Sequence, residues 1–221
     1  MEFQDKLKNF ILDLGISDVG FTQINEFDNE KMNYAVSFVV RMSKEVFEEM
    51  DSAPTYTYFH HYRTVNAFID QSVLKTGLFL QKNGYSYIPI GASQSINKDG
   101  WNYKARFSSR QIACMSNLGS IGKNNMFIHR TFGPAVRLGT LFTNCVFETD
   151  RDKDFEKKCD ECNICVEKCP AGALKGVLWT PETTREDIID AAKCSEFMKK
   201  EYKMIGRGAV CGLCIKNCPL L

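Results

Sequence analysis

Eight of the ten cysteines fall in residues 159–221, and their spacing constrains that stretch more than any other property of the chain. The first array reads Cys159-Asp-Glu-Cys162-Asn-Ile-Cys165-Val-Glu-Lys-Cys169-Pro170. The second reads Cys211-Gly-Leu-Cys214-Ile-Lys-Asn-Cys218-Pro219, with Cys194 upstream of it. Three cysteines two residues apart can wrap three corners of one object, while a fourth, placed before Pro, points elsewhere. A chain patterned this way folds around something that thiolates bind.

The spacing C-x2-C-x2-C-x3-C-P is that of bacterial ferredoxins, and in two-cluster ferredoxins the fourth Cys ligates the other cluster. On that pattern Cys159, Cys162, Cys165 and Cys218 hold one [4Fe–4S] cluster, and Cys169, Cys194, Cys211 and Cys214 hold a second. The departure is the sixteen residues between Cys194 and Cys211, where the plain pattern has two. Zinc sites also use C-x2-C pairs, but nothing in zinc coordination requires the C-x3-C-P ending twice. Disulfides suit a secreted chain, whereas Met1-Glu-Phe-Gln-Asp-Lys opens an amphipathic helix and no signal peptide. The arrays therefore imply single-electron chemistry in a reducing cytoplasm.

At 221 residues the chain has room for one sizeable domain and a small one. No apolar run approaches the ~20 residues that span a bilayer, so no membrane partner is expected. Net charge is +1. Residues 151–221 hold 13 Lys/Arg against 12 Asp/Glu, and residues 1–150 hold 15 of each. Neither part has the basic excess of a domain that lives on phosphate contacts.

Apolar periodicity predicts a helix over Phe3–Leu14 with Gly15 as its stop. Asp18–Ile24, Tyr34–Arg41, Tyr85–Ile90, Met126–His129 and Val136–Thr143 read as strands. One long helix is expected from Tyr56 to Asn83, with Tyr58, Tyr62, Val65, Phe68, Ile69, Val73, Leu74, Leu78 and Leu80 on its apolar side. Residues 91–107 are polar and read as a loop beside a site. A helix over Ser109–Asn117 follows, and Thr149–Lys158 reads as a linker. Thr183-Thr-Arg-Glu186 resembles a capping box before an inserted helix pair.

Between the helix and the strands lies Ser116-Asn-Leu-Gly-Ser-Ile-Gly-Lys-Asn124. Its glycines allow close approach to a ligand, and Lys123 and Asn124 offer donors. The same residues also suit a helix cap and a turn into a strand. Before this segment come Asp18-Val-Gly-Phe21, His60-His61-Tyr62-Arg63 and, directly ahead of it, Arg110-Gln-Ile-Ala-Cys-Met115; after it come Phe132-Gly133 and Leu138-Gly-Thr-Leu-Phe-Thr143. With the cysteine arrays closing the order, the chain resembles the epoxyqueuosine reductases and their relatives, the reductive dehalogenases. Their usual loop is A-G-L-G-W-x-G-K-N.

The resemblance implies an α+β chain: a cobalamin-binding, nitroreductase-like α/β sandwich over residues 1–150, then a bacterial-ferredoxin-like two-cluster domain over 151–221. It implies an iron–sulfur reductase whose clusters pass electrons to a base-off cobalamin. Gly119, Gly122, Lys123 and Asn124 would line the corrinoid, and Arg110 matches the basic residue preceding the loop. The family's acid lies in a V-D-T/S-x-P motif, absent here; by ungapped count its place is taken by Tyr103. Tyr103 or Asp99 is therefore the expected proton donor. The family's tRNA-gripping helical repeats have no counterpart, which implies a short form acting on a small or nucleoside-type substrate, not on tRNA. An external low-potential donor of ferredoxin or flavodoxin type would feed it. Two alternatives stand beside this reading: a ferredoxin-type electron carrier, and a protein that reduces the corrinoid of another protein. A flavin is a further option for such a fold.

The remaining candidates have plain structural readings as well. His60 and His61 suit ligand, proton-donor or hydrogen-bonded roles on the long helix. His129 sits in a strand, and Cys114 and Cys145 read as small buried residues. Tyr56, Tyr58, Phe59 and Tyr62 read as core or as the floor of a flat cofactor.

Overall fold

The computed structural model describes residues 2–24, 31–96, 100, 102–149 and 159–221. Helix α1 (Glu2–Asp13) buries Leu7 and Ile11 and leads to strand β1 (Asp18–Gln23). Strand β2 (Tyr34–Arg41) is buried along six consecutive residues, as its unbroken apolar run requires. A short helix α2 (Glu45–Glu48) precedes α3 (Tyr56–Lys82), whose first turn is capped by the Thr55 side chain accepting from the Tyr58 amide. Then come β3 (Tyr87–Ile90), α4 (Ser109–Met115), β4 (Gly119–Ile121), β5 (Phe127–His129) and β6 (Val136–Thr143).

The main sheet runs β1-β2-β6-β3, antiparallel throughout, and β4 and β5 form a separate hairpin. Side chains alternate along a strand, so β2 serves two layers. Val36, Phe38 and Val40 pack with Leu7 and Ile11 of α1 and Val65, Ile69 and Val73 of α3. On the other face Ala35 meets Ile112, while Val39 meets Ala113, Leu118 and Phe127. A sheet covered by helices on one face and by α4 and the hairpin on the other is an α+β architecture.

Residues 159–221 hold four helices: α5 (Ile164–Glu167), α6 (Arg185–Ile188), α7 (Ala191–Glu201) and α8 (Leu213–Lys216). Val210, Leu213 and Ile215 share one buried cluster with Met42, Phe47, Tyr58 and Ala135. The cysteine-bearing segment is therefore anchored to the sheet's end through α2 and the start of α3. No helix among the described residues is long and apolar enough to cross a membrane.

The elements depart from expectation in a few places. Leu74 and Leu78 are 49% and 52% exposed. They sit one residue past Val73 and Gly77, about 100° around the helix from the buried seam of Val65, Ile69, Val73, Thr76 and Leu80. Helix α4 stops at Met115 because Asn117 takes a left-handed φ of 60°. Strand β3 begins at Tyr87 instead of Tyr85. Gly119 lies in a strand, so the Ser116–Asn124 segment is a cap and turn leading into a hairpin. The capping box is one residue later, with Thr184 and Asp187 satisfying each other's backbone donors. Of the expected linker only Thr149 falls among the described residues.

Candidate functional site

Helix α5 follows the Cys159–Cys162 turn and carries Cys165, while α8 begins inside the Cys211–Cys214 pair and carries Cys214. Burial pushes the Cys165 thiol up to about 11, and Cys218, Cys159 and Cys162 add to the rise. Burial likewise pushes Cys194 up to about 11, helped by Cys211, Cys169 and Asp190. Cys214 is raised by burial, then by Cys211, Cys194 and Cys169. Cys165 also raises Cys214, so the two groups of thiols adjoin, with Cys218 near the first array and Cys169 near Cys194, Cys211 and Cys214. The protein offers these thiols burial and one another's charge, so the cation that makes them thiolates must arrive with the bound group. Among the described residues no three His, Cys, Asp or Glu are grouped as a site for a single metal ion.

The glycine–lysine segment reaches toward these arrays. A Cβ on Gly119 would stand 2.1 Å from the Ile128 carbonyl oxygen. One on Gly122 would stand 2.6 Å from Ile128 Cδ1, 2.9 Å from Asn124 Oδ1 and 3.4 Å from Cys159 Sγ. Lys123 is buried, and its Nζ donates to the Asp160 carbonyl at 2.7 Å and to Asn163 Oδ1 at 3.1 Å. Asn124 Nδ2 donates to the Cys214 carbonyl at 3.2 Å, while its Oδ1 accepts from the Met126 amide. Both glycines are demanded by protein neighbours, and Lys123 and Asn124 fasten the segment to one cysteine array each.

Beside this junction is a cavity of about 530 Å³, lined from the sheet side by Ser93, Tyr103, Phe107, Arg110, Phe127 and Arg137, and from the other by Trp179, Arg185 and Ile215. Arg110 donates from Nη1 to the Asn125 carbonyl. Burial, with Arg185 and Arg137 nearby, brings its pKa down to about 10. Arg137 donates from Nε to Asn66 Oδ1 at 2.9 Å and lies 4.3 Å over the Tyr62 ring. Burial raises the Tyr62 phenol, but the Arg137 charge and hydrogen bonds with Ser93, Asn66 and Arg137 outweigh it, leaving the group below its ordinary range. Arg185 donates to the Tyr103 carbonyl, to the Asn102 carbonyl at 3.2 Å and to Glu186 Oε1 at 2.6 Å. Tyr103 is held there with a φ of 56°, a conformation non-glycine residues seldom adopt.

Of the expected site residues, Arg110 and Tyr103 line the cavity, whereas Gly119, Gly122, Lys123 and Asn124 are not among its lining residues. Asp99 lies outside the described residues. Sequence reasoning missed Arg137, Arg185 and the pairing of Tyr62. Arg137 carried a signal, a cation between Val136 and Leu138 in an otherwise buried strand. The other candidates are structural. His129 is buried, its Nδ1 accepting from the Thr131 and Phe132 amides and its Nε2 3.1 Å from Asp18 Oδ2. His61 Nε2 accepts from the Ser43 amide, and His60 is exposed. Burial pushes the Cys114 thiol up to about 12.

The family model for a 4Fe-4S double cluster binding domain matches residues 158–220. An epoxyqueuosine reductase of Bacillus cereus is 32% identical over 114 residues, 51% of this chain and 29% of its own. A tetrachloroethene reductive dehalogenase of Desulfitobacterium hafniense is 25% identical over 158 residues, 65% of this chain and 25% of its own. A solved reductive dehalogenase, described with a mechanism for B12-dependent dehalogenation, superposes with a TM-score of 0.77 at 18% identity, covering 96% of this chain and 31% of that one. The chain spans less than a third of the length of these three relatives. With a double-cluster domain that takes two [4Fe–4S] clusters and a fold shared with the dehalogenase, the chain is similar to the epoxyqueuosine reductases and reductive dehalogenases.

Proposed function

We propose that this chain is an iron–sulfur reductase that brings low-potential electrons through two [4Fe–4S] clusters to a corrinoid seated in the arginine-lined cavity, where a small or nucleoside-type molecule is reduced. On this reading residues 1–150 form the corrinoid-binding unit, a nitroreductase-like sandwich, and 151–221 the electron-supplying one. Cys159, Cys162, Cys165 and Cys218 hold one cluster, and Cys169, Cys194, Cys211 and Cys214 the other. The observation that carries the reading is the place of Ile215. It follows Cys214 directly and lines the cavity, so one thiol set stands a single residue from the chamber.

The corrinoid enters from the likeness to the B12-dependent dehalogenase, and the residues present fit one. Guanidinium and hydroxyl donors from Arg110, Arg137 and Ser93 suit amides and a phosphate, and Phe107, Phe127 and Trp179 suit the faces of a flat ring. A corrinoid bound there would supply a cobalt centre that changes oxidation state one electron at a time. The chain's own residues supply the rest. Arg110 and Arg137 donate to acceptors on what is bound, while the aromatic walls exclude water. Tyr103 offers a phenol as proton donor, fixed through its carbonyl by Arg185. Lys123 and Asn124 are positioning residues that hold the cysteine arrays against the chamber. An external donor of ferredoxin or flavodoxin type would reduce the clusters.

The test is an anaerobic titration of the cluster-loaded chain with cobalamin, followed by absorbance and cobalt EPR. Stoichiometric base-off binding supports the reading. Two intact clusters with no corrinoid bound would sink it and leave an electron carrier.

A further inference from the structure

The near-neutral charge of the cysteine-bearing segment conceals a division within it. Residues 151–192 carry 7 Lys/Arg against 10 Asp/Glu, and residues 193–221 carry 6 against 2. Four of those six, Lys199, Lys200, Lys203 and Arg207, lie in the sixteen residues between Cys194 and Cys211, the stretch that the plain ferredoxin pattern reduces to two. Two turns follow α7, closed by the Ile205 amide on the Tyr202 carbonyl at 2.9 Å and the Gly208 amide on the Ile205 carbonyl at 3.0 Å. Gly208 comes so close to α7 that a Cβ on it would stand 2.5 Å from Lys199 Cα, which sets Arg207 beside the helix's basic end. All four cations are exposed, Lys200 over 83% of its side chain. Among them Met204 is 82% exposed, more than any other large apolar residue described. The rest of the stretch faces inward. Ile205 packs against the cluster that holds Met42, Phe47 and Tyr58, and the Tyr202 hydroxyl donates to the Ser52 carbonyl at 3.3 Å.

Resting on the reading of the thiol sets as cluster seats fed from outside, we infer that Met204 and the cations around it are the docking surface for a small acidic one-electron carrier protein, which exchanges electrons with the cluster held by Cys169, Cys194, Cys211 and Cys214. Opposite charge speeds and orients the encounter. One adaptable apolar side chain then gives a small dry contact that lets the partner leave after each transfer, and weak electron-transfer encounters bury little surface. Asp160 and Glu161, exposed in the first array, repel the same partner, so the second array is the entrance. Both sets adjoin the chamber from there, the second through Ile215 and the first through Gly122, which stands against Cys159 and precedes no farther than one residue from Ile121 of the lining.

The test is stopped-flow mixing of the cluster-loaded full chain, reduced by dithionite and freed of the excess, with an acidic flavodoxin in its oxidised form. One electron leaves a reduced cluster and enters the flavin, which takes one proton from water to become the neutral semiquinone, and the semiquinone absorbance gives the second-order rate. That rate should fall as salt is added. Lys200→Glu, Lys203→Glu and Arg207→Glu together should slow it roughly 10- to 100-fold at low ionic strength and remove the salt dependence, with iron content and the extent of dithionite reduction unchanged. Lys8→Glu, Lys75→Glu and Lys82→Glu make the same change in net charge on exposed residues of α1 and α3 and should leave the rate near that of the unaltered chain. Met204→Ala should slow transfer and keep the salt dependence. Equal losses in the two triple variants overturn the inference. So does a rate in the unaltered chain that salt does not lower, a result that needs no variant to fold. Flavodoxin rates unmoved in the patch variant, with a labelled tRNA held by the unaltered chain and lost by that variant, assign the patch to nucleic acid and overturn it as well. Cobalamin binding is measured separately. Salt-sensitive transfer by a chain that takes up no cobalamin upholds the docking surface and strikes the corrinoid reading alone. Base-off cobalamin in a reduced chain that gives flavodoxin no electron strikes the docking surface alone.

Discussion

Replacing Gly122 with Ala should loosen both cysteine arrays at once. The added methyl would lie 2.6 Å from Ile128 Cδ1 and 2.9 Å from Asn124 Oδ1, where ordinary contact needs about 3.5–4.0 Å. Ile128 is 3% exposed and Asn124 2%, so neither can swing into solvent. Overpacking of this kind costs about 1–3 kcal/mol. If Asn124 turns aside, its hydrogen bond to the Cys214 carbonyl is lost as well, for about 1 kcal/mol more. A chain of this size should then melt roughly 5–15 °C lower and lose iron faster under a chelator, from both arrays. Gly91→Ala is the control, since its nearest neighbour would be 3.8 Å away, and it should change neither quantity. Ile128→Val removes the Cδ1 atom and should recover part of the loss in the double variant, although alone it costs about 0.5–1.5 kcal/mol. The reasoning fails if Gly122→Ala keeps the melting temperature and iron of the control.

Lys123→Met leaves the Asp160 carbonyl and Asn163 Oδ1 without their buried donor, so iron analysis during chelation should show the first cysteine array emptying before the second. Tyr103→Phe should lower substrate reduction by about 10²–10⁴-fold, the usual weight of a general acid, while cluster reduction measured by EPR is untouched; an unchanged turnover would remove Tyr103 from the chemistry. Tyr62 should ionise before the other tyrosines in a 295 nm titration, and Arg137→Met should move that step upward. Its folded pKa lies below its unfolded value, so the stabilisation is absent at neutral pH. It grows as pH rises through the folded value and is complete above about 10, the unfolded pKa.

How much of this was legible in the sequence depends on how local the determining physics is. Strands β2 and β6 have the bounds that their apolar runs implied, because a strand buried on both faces tolerates few polar residues. The proposed thiol partition rests on cysteine spacing, which the sequence displays directly. Lys123 and Asn124 were found as a pair, but a motif does not say on which side of a turn its side chains leave the backbone. The capping box slipped by one because Thr183 with Glu186 and Thr184 with Asp187 are equally good by composition. Leu74 and Leu78 misled because an apolar residue is no less apolar when it faces solvent. Arg110, Arg137 and Arg185 come from α4, β6 and α6, and nothing in the chain's order announces that these meet around one cavity.

The crossing of the thiol sets bears on how such a chain is made. A nascent chain that has emerged as far as Cys169 displays the whole first array, yet the fourth neighbour of that set is Cys218, still to be synthesised. The second set must likewise wait for Cys211 and Cys214, although Cys169 and Cys194 are long since available. On the proposed ligand sets, iron delivered early would find no complete seat, so loading would follow emergence of the second array, and the two seats would close together as that array docks. A chain cut after residue 210 keeps five of the eight cysteines and should hold neither cluster. On the proposed ligand sets, iron content would report whether synthesis had passed the second array, a check written into the order of the cysteines.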